Sequence, residues 1–299
     1  MSSYLPYVHF LTAPGTNNAT NPVAMASITK NTIFTNVGYN PATNDVWWEG
    51  MEADGPVPER LIDWLGQEWT PGCGRVAAHS NSRFTAPIHN CPTLDSAWND
   101  PRGVPISAII YGGRRASDIP LVYQTFNWSA GVYAGATVCS ESTSAQLDVK
   151  EGTLRNDPFA MLPFMGYNAA DYIKHHLSVG KKLTEKPLVF MVNFFRRDAN
   201  KKFLWPGFGE NARVLQWIVK RTQGRVGGRE NALGVVPRYE DLDFDGLNYP
   251  KEKFNELMNV DGEGLKARTL MNHEELFLKL ADRLPTEMLL ERRLLVSRL

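Results

Sequence analysis

The stretch PLVFMVNFFRR, residues 187–197, decides the fold class. Pro187 to Val192 holds no charged or hydrogen-bonding side chain, and Asn193 ends the run. Six residues are too few for a stable helix, and a continuous apolar run has no polar face to turn to water. It reads as a strand buried on both sides. A second run of this kind, Val104-Pro-Ile-Ser-Ala-Ile-Ile-Tyr111, stops at Gly112-Gly113 and is followed by Arg114-Arg115. Both are expected in the interior of a sheet. Helical periodicity appears between and after them. Ala169–Ser178 places Tyr172, Ile173, His176 and Leu177 on one face, and Asn211–Thr222 does so with Val214, Leu215, Ile218 and Val219. Gly224 is a plausible stop for the second. Residues 129–139 read equally as helix or strand. The last fifty residues are helical in pattern, and Pro285 opens the final helix. The expected class is therefore α/β, a mixed central sheet with flanking helices and a helical tail over 250–299.

The N-terminal third is less regular. Thr32–Val37 and Val46–Trp48 predict a hairpin turning at Asn40-Pro41. Residues 52–103 are punctuated by Pro and Gly and read mostly as loop.

The 299 residues are enough for a sizeable core. The 32 Lys+Arg balance 32 Asp+Glu, so no overall field attracts nucleic acid or an anionic membrane, and any anion site must be local. The opening residues lack the charged and apolar regions of a secretory signal, and no run approaches the ~20 apolar residues of a membrane span. Three dispersed cysteines, Cys73, Cys91 and Cys139, form no CxxC pair, and the six histidines show no HxxxH or HExxH spacing. The expectation is a cytoplasmic protein, or one of an organelle matrix such as that of mitochondria, with no nucleic-acid or membrane partner.

Three constellations carry chemistry. Phe203-Leu-Trp-Pro-Gly-Phe-Gly-Glu-Asn211 follows closely on Phe194-Phe195. Phe195, Phe203 and Phe208 suit the two faces of a flat base, which gains about 1–3 kcal/mol per aromatic stack, with the Asn211 amide at its edge. Against this stands a plainer reading, in which the rings are core and Asn211 caps the next helix. Gly112-Gly-Arg-Arg115 ends a predicted strand, where open α/β sheets bind ligands; equally, it is a turn with two solvated arginines. Asn81-Ser-Arg-Phe84 offers an amide, a hydroxyl and a guanidinium to an oxyanion, or is an ordinary surface loop. No GxxxxGK[ST] phosphate cradle occurs in the 299 residues.

Taken together, KNTIFTNV (30–37), WWEG (47–50), NSRFTAP (81–87), GVPISAIIYGGRR (103–115), NDPFAM (156–161), GYN (166–168), VNFFRRD (192–198) and FLWPGFGENARVL (203–215) resemble the C-terminal half of GTP-dependent phosphoenolpyruvate carboxykinase. The resemblance runs from near residue 10 to the end. It implies a nucleotide-binding domain over 1–299, incomplete at its N-terminal side, and a lid loop at 140–152. It implies a guanine slot of Phe195, Phe203 and Phe208, with Asn211 at the base edge and Arg114, Gly209 and Glu210 on the nucleotide. Asn81, Ser82 and Arg83 would hold oxaloacetate or phosphoenolpyruvate, with Arg83 catalytic beside the transferred phosphoryl group. The implied reaction converts oxaloacetate and GTP to phosphoenolpyruvate, GDP and CO2 in gluconeogenesis, with Mn2+ or Mg2+, in an enzyme that is usually monomeric.

Departures accompany the resemblance. The family's kinase loop, its metal ligands and one substrate arginine fall upstream of the matched stretches. The expectation is that these 299 residues alone do not turn over, and that uncovered strand edges make them poorly soluble or dependent on a partner. A guanine-nucleotide-binding module without catalysis is the alternative. Within 140–152, SESTSAQLDVKEG departs from the family's usual lid after Ser-Glu-Ser-Thr. Cys139 and Leu162 stand where the family has arginines.

Overall fold

The computed structural model describes residues 7–11, 15–142, 150 and 152–299. Most of the anticipated lid, residues 143–149 and 151, lies outside them. The chain divides into two compact units, Met1–Val104 and Pro105–Leu299.

Among its described residues the first unit holds two small antiparallel sheets, one short α-helix, α1 (Pro22–Ala26), and two 3-10 turns. One sheet orders β1 (Tyr7–Leu11), β7 (Arg83–Pro87) and β2 (Ile33–Thr35), with β7 central. The other orders β4 (Asp45–Trp47), β3 (Gly38–Asn40), β5 (Leu61–Ile62) and β6 (Glu68–Trp69). The expected hairpin is thus displaced. β4 pairs with Gly38–Asn40, while Ile33–Thr35 leaves for the other sheet. The cause lies between them, where Asn36 adopts φ 57° and breaks the run that the sequence presents as one strand. The reading of 52–103 as mostly loop misses β5, β6 and β7. Trp47, Leu61, Trp69 and Ala77 form one core cluster of this unit. Trp47 and Trp69 pack with ring centroids 5.4 Å apart.

The second unit is α/β. Its five-stranded sheet runs in the order β13 (Arg229–Glu230), β14 (Val235–Val236), β9 (Val122–Gln124), β12 (Leu188–Val192), β8 (Ala108–Gly112). β12 is parallel to β8 and antiparallel to β9, so the sheet is mixed. The side-chain period of two explains why β12 is apolar throughout. Val189 sits where a Cβ on Gly131 of α2 (Trp128–Ala136) would lie 2.6 Å from it, and Phe190 meets Trp217 of α4 (Asn211–Thr222) at 5.9 Å. Both faces are covered, as expected for an interior strand. β8 differs from expectation. Among the described residues its one strand partner is β12, and Ile110 is 41% exposed, so it is an edge. Hydrophobicity alone does not separate an interior strand from an edge one.

Residues 129–139 resolve as helix α2 followed by β10 (Cys139–Glu141), which pairs with β11 (Leu154–Asn156) at the base of the anticipated lid. Asn127 accepts a bond from the Ala130 amide and so starts α2. Asn168 does the same for α3 (Ala169–Lys182), which buries Ile173 and Leu177. α4 has the expected bounds, but Leu215 and Val219 are exposed and Trp217 takes their place in the core with Val214 and Ile218. The tail holds α5 (Lys251–Met258), α6 (Gly262–Gly264), a π-helical turn Leu265–Leu270, α7 (Met271–Leu280) and α8 (Thr286–Arg298). No helix of the described residues is long and apolar enough to cross a membrane.

Two clusters fill the core of this unit. One lies on the α4 side, around Phe190, Trp205, Trp217, Tyr249 and Phe254. The other joins α2, α3, α7 and α8 through Val132, Ile173, Phe277, Met288 and Leu295. His273 of α7 is buried there, with Nδ1 2.8 Å from the Tyr133 hydroxyl. Burial, helped by Arg115 and Arg292, pushes its imidazole down to about 3. In the unfolded chain histidine takes its proton near pH 6.5. Above that pH both states are neutral and the residue adds no pH dependence. As pH falls from about 6.5 toward 3 the unfolded state binds the extra proton, so stability declines by up to ~1.4 kcal/mol per pH unit. Urea midpoints measured from pH 7 to pH 4 are expected to fall less steeply in His273→Gln, whose amide still partners Tyr133. Parallel profiles would contradict the assignment.

Candidate functional site

In the second unit two candidate residues, Arg114 and Phe195, follow the same end of the sheet. β8 and β12 are parallel and in register, Gly112 opposite Val192, so both chains leave the sheet at the same C-terminal end. This is where ligands bind in open α/β sheets. From β8 come Gly113, Arg114 and Arg115; from β12 come Asn193, Phe194 and Phe195.

The two arginines have separate fates. Arg115 is buried and structural. Its Nη2 donates to Asp118 Oδ2 at 3.1 Å and Thr269 Oγ1 at 2.8 Å, and its Nη1 to Cys139 Sγ at 3.0 Å. The reading of two solvated arginines is corrected for this residue. Arg114 is half-buried, and its guanidinium has no hydrogen-bonded or ionic partner among the described residues. A cation left unpaired at a strand end is available to an anion. Close packing fixes its backbone. A Cβ at Gly113 would stand 2.9 Å from the Cys139 carbonyl oxygen. Burial raises the Cys139 thiol.

Asn193 joins the two strand ends and was not anticipated. It is 1% exposed. Its Nδ2 donates to the Arg115 carbonyl at 2.9 Å and the Ile119 carbonyl at 3.0 Å. Its Oδ1 accepts from the Arg115 and Phe195 amides, both at 3.2 Å. Every donor and acceptor of the side chain is spent on holding the arginine loop and the aromatic segment together. Its signal in the sequence is a single amide between an apolar strand and two phenylalanines.

The aromatic residues are not core. Phe195, Phe203 and Phe208 are all exposed, Phe208 at 85%. A short turn pairs Arg197 with Phe203 and brings Phe195 and Phe203 edge to face, centroids 6.2 Å apart. The Arg197 guanidinium lies 4.7 Å from the Phe203 ring centroid. Phe208 makes no ring contact among the described residues and stands out from the turn with φ 46°. Bulky residues rarely adopt positive φ, and such strain clusters where a side chain is presented to a ligand. Gly207 before it has φ 79°, and no atom crowds Gly209. The plainer reading of these rings as buried packing is overturned.

Asn211 is not the helix cap. Its φ −61° and ψ −25° are helical, and Glu210 holds the cap position without a side-chain cap bond. Glu210 instead pairs with Arg213. The Asn211 Oδ1 accepts from Trp205 Nε1 at 2.8 Å, while its amide nitrogen donates to nothing among the described residues.

The first unit carries Asn81, Ser82 and Arg83. They follow a turn in which the Ser82 amide donates to the His79 carbonyl at 2.9 Å and the Asn81 amide to His79 Nδ1 at 3.0 Å. Asn81 is exposed, Ser82 is buried, and Arg83 is half-buried at the first position of β7. Arg83 Nη2 donates to Asn81 Oδ1 at 3.3 Å. The expected loop is thus the entry to a central strand. Its backbone is fixed by pairing on both sides, with Leu11 and with Thr35.

No group of three or more His, Cys, Asp or Glu among the described residues converges to hold a metal ion. Those residues do not fit a divalent cation site of their own. A cavity of about 80 Å3 does lie in the second unit, lined by Arg115, Tyr133, Thr269, His273 and Glu291 among apolar side chains.

A family model described as the phosphoenolpyruvate carboxykinase C-terminal P-loop domain matches residues 7–298. Curated proteins named phosphoenolpyruvate carboxykinase [GTP] are similar over nearly the whole chain. That of Corynebacterium jeikeium (strain K411) is 48% identical over 280 residues, covering 93% of this chain and 45% of the relative. That of Anaeromyxobacter dehalogenans (strain 2CP-1) is 47% identical over 290 residues, covering 97% of this chain and 48% of the relative. The chain thus spans about half the length of the curated relatives it matches. With the matched residues running from β1 to the end of α8, the chain belongs to the GTP-dependent phosphoenolpyruvate carboxykinase family.

Proposed function

We propose that these residues supply the guanine-nucleotide site and part of the substrate site of a GTP-dependent phosphoenolpyruvate carboxykinase. The observation that carries this is three exposed rings, Phe195, Phe203 and Phe208, in the unit that also holds an Asn211 amide nitrogen and an Arg114 guanidinium, both without a partner among the described residues. Exposed phenylalanines lose hydrophobic stabilisation unless something flat covers them, and a purine base is such a plate. Gly209 lets a ligand approach the backbone, and Glu210 and Asn211 border the base.

In the proposed reaction oxaloacetate loses CO2, the electron pair of the broken C–C bond forms the enolate, and the enolate oxygen takes the γ-phosphoryl group of GTP. Phosphoenolpyruvate, GDP and CO2 result, and in the cell this step would serve gluconeogenesis. Arg114 would bind nucleotide phosphate. Asn81, Ser82 and Arg83 would bind the carboxylates of oxaloacetate or phosphoenolpyruvate, with Arg83 facing the phosphoryl group. Such cations neutralise the charge of phosphoryl transfer. Family members use Mn2+ or Mg2+, and among the described residues no group of three or more His, Cys, Asp or Glu converges to hold such an ion. Residues 1–299 are proposed to belong to the nucleotide-binding domain.

A second reading is nucleotide binding without catalysis. Both readings require a guanine site, and equilibrium titration of the purified 299-residue chain with GDP tests them together. Saturable binding is expected, with no phosphoenolpyruvate formed from oxaloacetate and GTP by this polypeptide alone. Absence of binding refutes both readings, and turnover refutes the second.

A further inference from the structure

We infer that Trp205 is the residue that fixes which purine the site accepts, by locking the orientation of the Asn211 carboxamide. This inference rests on the guanine-nucleotide reading above and adds to it a positioning residue.

A carboxamide offers an acceptor on one side and a donor on the other, and turning it over exchanges them. Trp205 removes that freedom. An indole N–H can only donate, so the group 2.8 Å from Trp205 Nε1 must be the Asn211 oxygen. The indole cannot swing aside to release it. Trp205 is 1% exposed, packs against Tyr249 at 5.6 Å between centroids, and belongs to the α4-side core with Leu204, Val214 and Trp217. Asn211 is equally constrained, because its backbone already lies in the first turn of α4. What remains facing outward is the amide nitrogen, a donor without a partner among the described residues.

A fixed donor reads the atom at purine position 6. Guanine carries a carbonyl oxygen there, an acceptor; adenine carries an amino group, a donor. Guanine completes the chain indole to amide to base, whereas adenine sets two donors against each other. A site built around one hydrogen-bond polarity rejects the opposite polarity because its own group is left unpaired. The structure therefore assigns a preference for 6-oxopurine nucleotides, hypoxanthine included, to a buried tryptophan that touches no base.

The test measures affinities of the 299-residue chain for GDP, IDP and ADP by calorimetry, alongside Trp205→Phe and Asn211→Asp. The wild type is expected to favour GDP and IDP over ADP. Trp205→Phe keeps a ring in the core and frees the amide, so the GDP-to-ADP ratio should fall by about tenfold or more. Asn211→Asp keeps the indole bond but presents an acceptor, and should lose the 6-oxo preference without any change in the core. If the wild type binds without preferring GDP, or a folded Trp205→Phe keeps its ratio, the inference is overturned while the nucleotide reading stands. If Trp205→Phe unfolds, the Asn211→Asp ratio decides alone. If the wild type binds none of the three, the nucleotide reading fails and the inference fails with it.

Discussion

Asp118→Ala is expected to destabilise the protein by about 3–5 kcal/mol, because it leaves the Arg115 charge buried without its counter-ion. The side chains of Arg115 and Asp118 are 4% and 1% exposed, and both Asp118 oxygens also accept from Arg268 at 2.7 Å. Arg268 is half exposed, so water replaces much of what it loses and the main cost falls on Arg115. The backbone adds to the effect. Asp118 has φ 71°, a conformation that costs alanine more than it costs Asp or Asn. Asp118→Asn separates the two contributions, since it keeps the backbone preference and volume and removes only the charge. Urea unfolding should place Asn between wild type and Ala, with both midpoints well below wild type. A change under about 0.5 kcal/mol in either would show that Arg115 finds another partner. The pair matters beyond stability, because it anchors the loop that carries Arg114 to Thr269 in the π-helical turn.

Asn193→Ala is the second large effect, expected at about 2–4 kcal/mol. Four backbone groups lose their side-chain partner: the amide and carbonyl of Arg115, the Ile119 carbonyl and the Phe195 amide. A buried group left unsatisfied costs about 1–3 kcal/mol, and water entering the gap recovers part of the sum. Asn193→Asp is no rescue, since it keeps the acceptor, removes both donors and buries a charge. A purely structural role would lower the urea midpoint alone. The position of Asn193 between Arg114 and Phe195 adds a functional consequence: conditions that keep the variant folded should still show weaker GDP binding. Normal stability in Asn193→Ala would contradict the accounting of these bonds.

The sheet and helices of the second unit were readable where burial imposes a period. β12 is apolar because Val189 and Phe190 face α2 and α4, and the α4 bounds follow from its repeating core residues. The same reasoning failed where the period carries no information. Ile110 is as apolar in sequence as Phe190, yet it lies on an edge strand. β7 was hidden because Arg83 and Pro87 bound a five-residue strand with only three positions between them. In the candidate site, residue types pointed to the rings and to Arg114, and the structure then showed which of them are exposed. It did not place Arg115 in solvent, and it gave Asn211 a partner in place of a cap. Asn193, Asp118 and Trp205 went unrecognised because their roles lie in bonds to residues distant in sequence or across a turn. No local pattern records such bonds.

The central claim is that the exposed rings bind a guanine base, and Phe208 tests it most directly. At 85% exposure, with no ring contact among the described residues, Phe208 contributes little to the fold, so Phe208→Ala should unfold at the same urea concentration as wild type. If it stacks on the base, its loss should weaken GDP binding by about 1–3 kcal/mol, roughly 5- to 150-fold in Kd. An unchanged Kd in a folded Phe208→Ala, or no saturable binding by the wild type, would contradict the account.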